Sequence, residues 1–522
     1  MKSFHITGTV IPEENYMVDI TDKLIQIKAM IDKKEYFAIN RGRQYGKTTT
    51  LEQLERYLQT EYTVINISFE GFDAEEFENA ATFSKAFLKE IHKSLTFSNV
   101  EQTYRDSWLN FEIKSFSELS IHLTEMCKDK KVVLLIDEVD KVSNNRVFLG
   151  FLSKLREKYL ARRVGKDHTF HSVILVGVYD VKNIKLKLLQ EGKHTLAETE
   201  TTANSPWNIA ADFDVNMAFT TTEIQGMLNA YETDYKTGMN IAKIAQEIHN
   251  FTNGYPVLVS NICKHIDEKL QREWTTLGIR KAVKRILKEN SPLFETLTKN
   301  LDGNEKLFQL VHSIVIKGGK WPFNIRSTEV NLGVRYGYFQ EDNGNIKISN
   351  RMFEMCLLEY FTFLEKQKQE FEIVNHYMDN SGIVENGIFN METCMHKFSN
   401  YYEKYYNKKD QAFIERSGRL LFLMFVSPIL NGSGFAYIES QTADGLQTDV
   451  IINFLNQQFI VELKIWDGIK KHEKAYKQLE TYMNQLNVNE GYLLTFNFNQ
   501  KKETSIAWET IDEQKKILDV IL

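Results

Sequence analysis

A short apolar run, Tyr36–Ile39, leads straight into Arg41-Gly42-Arg43-Gln44-Tyr45-Gly46-Lys47-Thr48, and an amphipathic helical pattern follows. The last three residues match the end of the GxxxxGK[ST] phosphate-binding pattern. No other feature constrains the chain as much, because a strand, a glycine turn and a helix start aim loop amides and a helix N-terminus at one point. Gly46 lets the backbone approach phosphates, Lys47 reaches the β- and γ-phosphates, and the Thr48 hydroxyl is suited to ligate Mg²⁺. The expected nucleotide-facing set is Arg41, Gly42, Arg43, Gln44, Tyr45, Gly46, Lys47, Thr48 and Thr49, with ATP and Mg²⁺ as cofactors. The pattern is imperfect: Arg41 stands where the first glycine belongs, and Gly42 comes one position late.

A second junction supports the first. Lys131-Val-Val-Leu-Leu-Ile-Asp137-Glu138 is an apolar run ending in two carboxylates, with a further apolar run, Val64–Phe69, in between. Ligands of open α/β sheets sit at strand carboxyl ends. Asp137 is expected to hold Mg²⁺ through water, and Glu138 to orient and deprotonate an attacking water. Ser172–Val178 is a fourth apolar run, followed by Tyr179-Asp180-Val-Lys-Asn183. Asp180 or Asn183 either senses the terminal phosphate or caps the next helix. Arg162 and Arg163 either serve a neighbouring subunit or form a solvated helix face.

Continuous apolar runs alternating with amphipathic stretches predict an α/β domain with a buried parallel sheet over residues 1–220. Helical patterns follow over 221–300, read as a lid, with Gly254-Tyr255-Pro256 at the head of one helix. Over 301–365, helical segments precede VRYGYFQEDNGNIKISN, where Asn343-Gly344 between two alternating runs signals a hairpin; helices followed by a hairpin suggest a winged helix. Residues 366–400 read as a helical linker, and 401–522 as a separate small α/β domain.

Composition removes several classes. The chain has 64 Lys+Arg and 70 Asp+Glu, so 64 − 70 gives a formal charge of −6, and no bulk positive field attracts nucleic acid. Four cysteines with no metal spacing imply free thiols in a reducing compartment. The start of the chain lacks the apolar core of a signal peptide, and the apolar stretch Leu420–Leu430 is too short to span a bilayer. A cytoplasmic protein with no membrane partner is expected.

Together, INRGRQYGKTTTL, VVLLIDEVDKV, VILVGVYDVKN, SPWNIAADFDV and FTNGYPVLVSNICKHID resemble the bacterial AAA-like ATPases, which look related to archaeal-type and signal-transduction ATPases. The resemblance covers about residues 1–365 and implies a P-loop NTPase fold of the ASCE/AAA-like kind, nucleotide hydrolysis and a switch. It makes Arg41 a family trait. A homo-oligomer is a further expectation.

The C-terminal part carries its own constellation. In Phe459-Ile-Val-Glu462-Leu-Lys464-Ile465, strand alternation places Ile460, Glu462 and Lys464 on one face, with Val461, Leu463 and Ile465 turned into a core. Asp449 lies on the preceding strand. Two carboxylates on adjacent strands suit Mg²⁺, and Lys464 can orient water and stabilise phosphodiester charge. An E-x-K on a strand also serves as a cross-strand charge pair. The order helix, strand, Asp strand, E-x-K strand, helix, strand resembles the PD-(D/E)xK nuclease superfamily, a restriction-endonuclease-like fold. By that resemblance Glu415 and Glu439 occupy positions where relatives carry metal-coordinating acids, and Gln478 with Tyr482 matches a Q-xxx-Y near the site. Thr448 stands where the superfamily often has Pro.

The expected whole is an ATP-binding and hydrolysing AAA-like protein whose nucleotide state governs a metal-dependent nuclease acting on DNA, in defence or mobile-element processing. The other reading is a nucleotide-switched signalling ATPase with an inactive nuclease-like binding domain. Residues 401–522 hold 14 basic and 16 acidic residues, so affinity for bare DNA should be modest. Lys470, Lys471, Lys474 and Lys477 either meet phosphates or form a solvated face. With 7 basic and 8 acidic groups, residues 301–365 suit a protein contact as well as a DNA groove.

Overall fold

A computed structural model describes residues 2–139, 146–177, 207–289, 291–316, 321–368, 381–405, 411–430, 434–437, 450–455, 457–497, 504–512 and 514–522. The chain divides into two compact units: Met1–Ala245 with Gly254–Lys264, and Gln246–Asn253 with His265–Leu522.

In the first unit the four apolar runs form strands β1 (Tyr36–Asn40), β2 (Thr63–Ser68), β3 (Val132–Asp137) and β4 (Ser172–Gly177). All pair in parallel, in the order β1-β4-β3-β2. β3 and β4 are buried throughout, as expected of strands covered on both faces. One face packs against the helices Ala80–Thr96, Phe116–Cys127 and Arg146–Arg163 through a phenylalanine cluster. Phe83 touches Phe69, Phe87 and Phe151 with ring centroids 6.1, 5.9 and 5.0 Å away. Helix starts are locally encoded: Asn79 accepts from Ala81 and Thr82 N–H, and Ser115 from Glu118 N–H.

Within residues 221–300, expected to form a lid, the structure has the helices Thr221–Tyr235, Ile241–Thr252, Pro256–Lys269 and Thr276–Lys288. Gly254 has φ +70°, and a Cβ there would lie 2.0 Å from the Phe219 carbonyl oxygen. The Gly254 carbonyl also accepts from Phe219 N–H at 2.8 Å.

In the second unit, helices Pro292–Asp302, Glu305–Val315 and Thr328–Arg335 precede the antiparallel pair β5 (Phe339–Asp342) and β6 (Asn345–Ile348). Asn343 at φ 49° and Gly344 at φ 79° supply the two left-handed residues that a tight hairpin needs. Residues 366–400 are not one helical linker. The helix Arg351–Lys368 is followed by a second hairpin, β7 (Val384–Glu385) and β8 (Ile388–Phe389), and then by the helix Met391–Tyr405. Its turn is another Asn-Gly, Asn386 and Gly387, both at positive φ. Phe389 anchors it, with its ring 5.3 Å from Phe454 and 5.4 Å from Phe459.

The C-terminal sheet has β9 (Gly434–Tyr437), β10 (Val450–Phe454), β11 (Gln457–Ile465), β12 (Glu490–Phe496), β13 (Ser505–Thr510) and β14 (Lys516–Ile521), in the order β13-β14-β12-β11-β10-β9. The sheet is mixed: β11, β12 and β14 run parallel, and the other pairs are antiparallel. The helix Ile469–Leu486 covers one face through Ala475, Leu479, Tyr482 and Met483 on Ile460, Leu493 and Ile517. The apolar stretch Leu420–Leu430 lies in the helix Gln411–Leu430, whose residues from Leu421 to Val426 are all buried. A helix apolar all round is one that is buried all round. Among the described residues no helix is long and apolar enough to cross a membrane. The protein is α/β in both parts.

Candidate functional site

The loop after β1 closes on its own lysine. Lys47 Nζ donates to the carbonyls of Arg41 at 3.1 Å and Gly42 at 2.9 Å. The turn depends on left-handed backbone at Gln44 (φ 55°) and Gly46 (φ 75°), and Gly46 precedes the helix Lys47–Leu58. Thr48 Oγ1 donates to Asp137 Oδ2 at 2.7 Å, across 89 residues of sequence. β4 lies between β1 and β3, so this contact crosses the carboxyl end of a strand. Asp137 is buried, and its second oxygen accepts from Glu138 N–H at 2.8 Å. Glu138 sits at φ 55°, a conformation that costs a non-glycine residue about 1–2 kcal/mol. The Asp137 carboxylate holds that backbone bend. A hydroxyl and a carboxylate in direct contact are hard oxygen donors of the kind Mg²⁺ takes.

The other loop residues have distinct surroundings. Arg41 donates to the carbonyls of Asn40 at 2.9 Å and Val215 at 3.1 Å, and lies over the Phe213 ring. It ties the loop to the 213–215 segment. Burial pushes its pKa down, with Tyr45 and Asp214 opposing. Arg43 and Gln44 are exposed, and the Tyr45 ring meets Tyr255 edge-on at 4.6 Å. Tyr255 Oη donates to the Arg43 carbonyl at 2.5 Å, and burial raises the pKa of both tyrosine hydroxyls. Thr49 Oγ1 accepts from Val10 N–H at 3.3 Å. Tyr255 and Val10 are loop contacts that the sequence reading did not single out. Tyr255 stood inside the Gly-x-Pro element as a visible hint, whereas no local pattern marks Val10.

Asp180 and Asn183 lie outside the described residues. Arg162 belongs to neither of its two expected settings. It donates to the carbonyls of Phe170, His171 and Lys34, and lies over the rings of Tyr36 and Tyr159. Arg163 is exposed.

At the C-terminal site, Glu462 is fully buried on β11 and its Oε1 lies 2.5 Å from Lys464 Nζ. Ile460 and Val461 are buried beside it, while Ile465, expected inside, is half exposed where the strand ends. Asp449 and Glu439 lie outside the described residues, and Glu415 is on the helix Gln411–Leu430. Gln478 Nε2 donates to Tyr482 Oη at 3.5 Å, so these two share a helix face. Lys470, Lys471, Lys474 and Lys477 are exposed, with Lys471 paired to Asp467. Among the described residues no group of three or more His, Cys, Asp or Glu is placed to hold a metal.

Comparison with known proteins gives each part a family. The AAA-like domain family matches residues 20–359, and the PD-(D/E)XK nuclease superfamily matches residues 434–507. No curated protein matches the chain. Among solved structures, a Walker-type ATPase of Pyrococcus abyssi aligns at 13% identity, covering 68% of this chain and 99% of that one with a TM-score of 0.45. The Aeropyrum pernix ORC2 protein, solved as ADPNP-ADP complexes, aligns at 10% identity, covering 69% of this chain and 97% of that one with a TM-score of 0.34. The chain belongs to the AAA-like domain family and carries a PD-(D/E)XK nuclease-superfamily domain toward its C-terminal end.

Proposed function

We propose that the protein binds and hydrolyses ATP at the loop of residues 41–49, and that nucleotide state governs a metal-dependent nuclease acting on DNA at Glu462 and Lys464. The contact between Thr48 and Asp137 carries the ATPase part of this reading, since it joins the helix start to the acid-ended strand. Lys47 exchanges the Arg41 and Gly42 carbonyls for phosphate oxygens, and the loop amides cradle the remaining charge. Thr48 and Asp137 would hold Mg²⁺, which neutralises phosphate charge when bound. Glu138 orients the attacking water and takes its proton as the water oxygen bonds to the γ-phosphorus and ADP leaves. At the second site Glu462, with Asp449 and Glu439, would ligate the metal, and Lys464 would meet the phosphodiester. The setting is defence against foreign DNA or processing by a mobile element.

A specific observation favours the alternative, a switch with an inactive nuclease-like domain: Glu462 is enclosed and already neutralised by Lys464. Purified protein incubated with ATP, Mg²⁺ or Mn²⁺, and DNA or RNA decides between them. Lys47→Ala should abolish hydrolysis, and Glu138→Gln should slow it by about 10²–10⁴-fold. A Lys47→Ala variant hydrolysing at the wild-type rate would sink the ATPase assignment. Cleavage lost in Glu462→Ala and Lys464→Ala supports the nuclease; wild type that cuts neither polymer in any nucleotide state removes it.

A further inference from the structure

A second polar cluster stands on the sheet face that carries Glu462 and Lys464. Glu462 is in register with Leu493 on β12, and Leu493 with Asp519 on β14. These strands are parallel, so Asp519 shares the face of Glu462, two strands away, or roughly 10 Å at the usual strand spacing. Asp519 Oδ2 accepts from Tyr476 Oη at 2.9 Å and lies 2.7 Å from His472 Nε2. Both donors come from the helix Ile469–Leu486, one turn apart. A carboxylate only accepts, so this contact assigns the Nε2 proton and leaves Nδ1 as the ring's second nitrogen. Burial and the Asp519 charge raise the Tyr476 pKa, which keeps its hydroxyl a donor.

Three observations connect this cluster to the E-x-K strand. Trp466 lies two residues beyond Lys464 on the same alternation, and its ring is 5.0 Å from that of His472. Thr495, in register with Lys464, is buried on the strand between, and its hydroxyl has no hydrogen-bond partner among the described residues. The remaining oxygen of Asp519, Oδ1, is likewise buried without a partner. Unsatisfied buried oxygens are rare in folded proteins; the Thr495 hydroxyl can donate to an incoming group, whereas Asp519 Oδ1 only accepts. The helix has no acidic residue in its first turn, and Lys470, Lys471 and Lys474 are exposed around His472, with Glu473 among them.

We propose that His472 is a phosphate contact of the C-terminal site, with Asp519 and Tyr476 as its positioning residues. In the complex the ring donates Nε2–H to Asp519 and Nδ1–H to a phosphate oxygen of a DNA strand that passes Lys464 and Trp466. Asp519 and Tyr476 hold the ring in place, and Trp466 fixes its tilt. This deepens the nuclease reading and rests on it for the ligand.

The test measures binding of a fluorescent DNA oligonucleotide to the full chain across a salt series, with Ca²⁺ replacing Mg²⁺ so that binding is read apart from cleavage. His472→Ala should weaken binding about tenfold, as one charge-assisted hydrogen bond warrants. The slope of log affinity against log salt should fall by about 0.7–0.9, the share of one phosphate contact. His472→Lys, which restores a charge, should recover the slope even if His472→Ala folds poorly. Unchanged affinity and slope in both variants would overturn the proposal, as would wild type that binds no DNA. Wild type that binds in Ca²⁺ but never cuts in Mg²⁺ or Mn²⁺ removes the nuclease reading alone, and the slope comparison still decides the role of His472.

Discussion

Gly254→Ala tests how the turn before the helix Pro256–Lys269 is fitted to its neighbour. Two costs apply to a methyl group here. The backbone at φ +70° is left-handed, which disfavours a side chain by about 1–2 kcal/mol. The added Cβ would also lie 2.0 Å from the Phe219 carbonyl oxygen and 2.7 Å from its nitrogen, and that nitrogen donates to the Gly254 carbonyl. Since these are backbone atoms in a paired stretch, no side chain can swing aside, and overpacking of this kind adds about 1–3 kcal/mol. The expected total is about 2–5 kcal/mol. Gly238→Ala is the internal control, because Gly238 has φ +75° and nothing within 4 Å of its Cβ position. It should lose only the conformational part. Urea unfolding followed by circular dichroism measures both, and Gly254→Ala should have the lower midpoint by about 1 M at an m-value of roughly 1–3 kcal/mol/M. Equal midpoints would show that the close approach of Gly254 to Phe219 has no energetic weight, and the argument from that contact would fail.

Other perturbations address the loop and its supports. Thr48→Val removes the donor to Asp137 and should make ATP affinity equal with and without Mg²⁺, measured by nucleotide titration. Tyr255→Phe keeps the ring against Tyr45 but removes the bond to the Arg43 carbonyl, and should cost about 0.5–1.5 kcal/mol in a urea melt. Arg162→Lys breaks the fork on three carbonyls and should lower the melting temperature while leaving the ATPase rate per folded molecule unchanged; a slowed rate at full folding would restore a catalytic role. His171 is held near pKa 4 by burial and the charges of Arg162, Lys34 and Lys131, against 6.5 when unfolded. Its contribution to stability is therefore present above pH 6.5 and lost as pH falls toward 4. His171→Phe, which keeps a ring beside Tyr62, should reduce the acid sensitivity seen between urea melts at pH 7 and pH 5.

The sequence announced the first unit well because its signals are continuous. Strands buried on both faces must read as unbroken apolar runs, and β3 does so from Val132 to Ile136 and β4 from Val173 to Val176. The hairpin at Asn343-Gly344 was legible for a different reason, since two consecutive left-handed residues demand that chemistry. The same dipeptide at Asn386-Gly387 was passed over because its strands are only two residues long, too short for alternation to show against the helical patterns around them. The setting of Arg162 is not legible in the sequence because its partners are carbonyls, which no side-chain pattern reveals. The burial of Glu462 was hidden in the same way. Alternation placed it on a face, but among the described residues the helix Ile469–Leu486 covers that face, and it follows Glu462 in the chain. Asp519 interrupts the apolar run of β14, and its meaning emerges once the sheet order brings it level with Glu462.

One physical theme joins the two candidate sites. In each, the lysine that would meet a phosphate already rests on the protein's own oxygens: Lys47 on two loop carbonyls, and Lys464 on a buried carboxylate. A phosphate must therefore replace existing bonds, and the gain on binding is the difference between two charge-assisted sets rather than the value of one. The exchange is unequal. Lys47 gives up neutral carbonyls for an anion, which favours the nucleotide strongly. Lys464 gives up a full carboxylate, and losing that ion pair at a buried Glu462 would cost more than the phosphate returns. Its release becomes favourable when a cation takes its place beside Glu462. Metal and DNA should accordingly bind the C-terminal site cooperatively, each weak alone, while ATP needs no such partner to displace the loop's internal contacts.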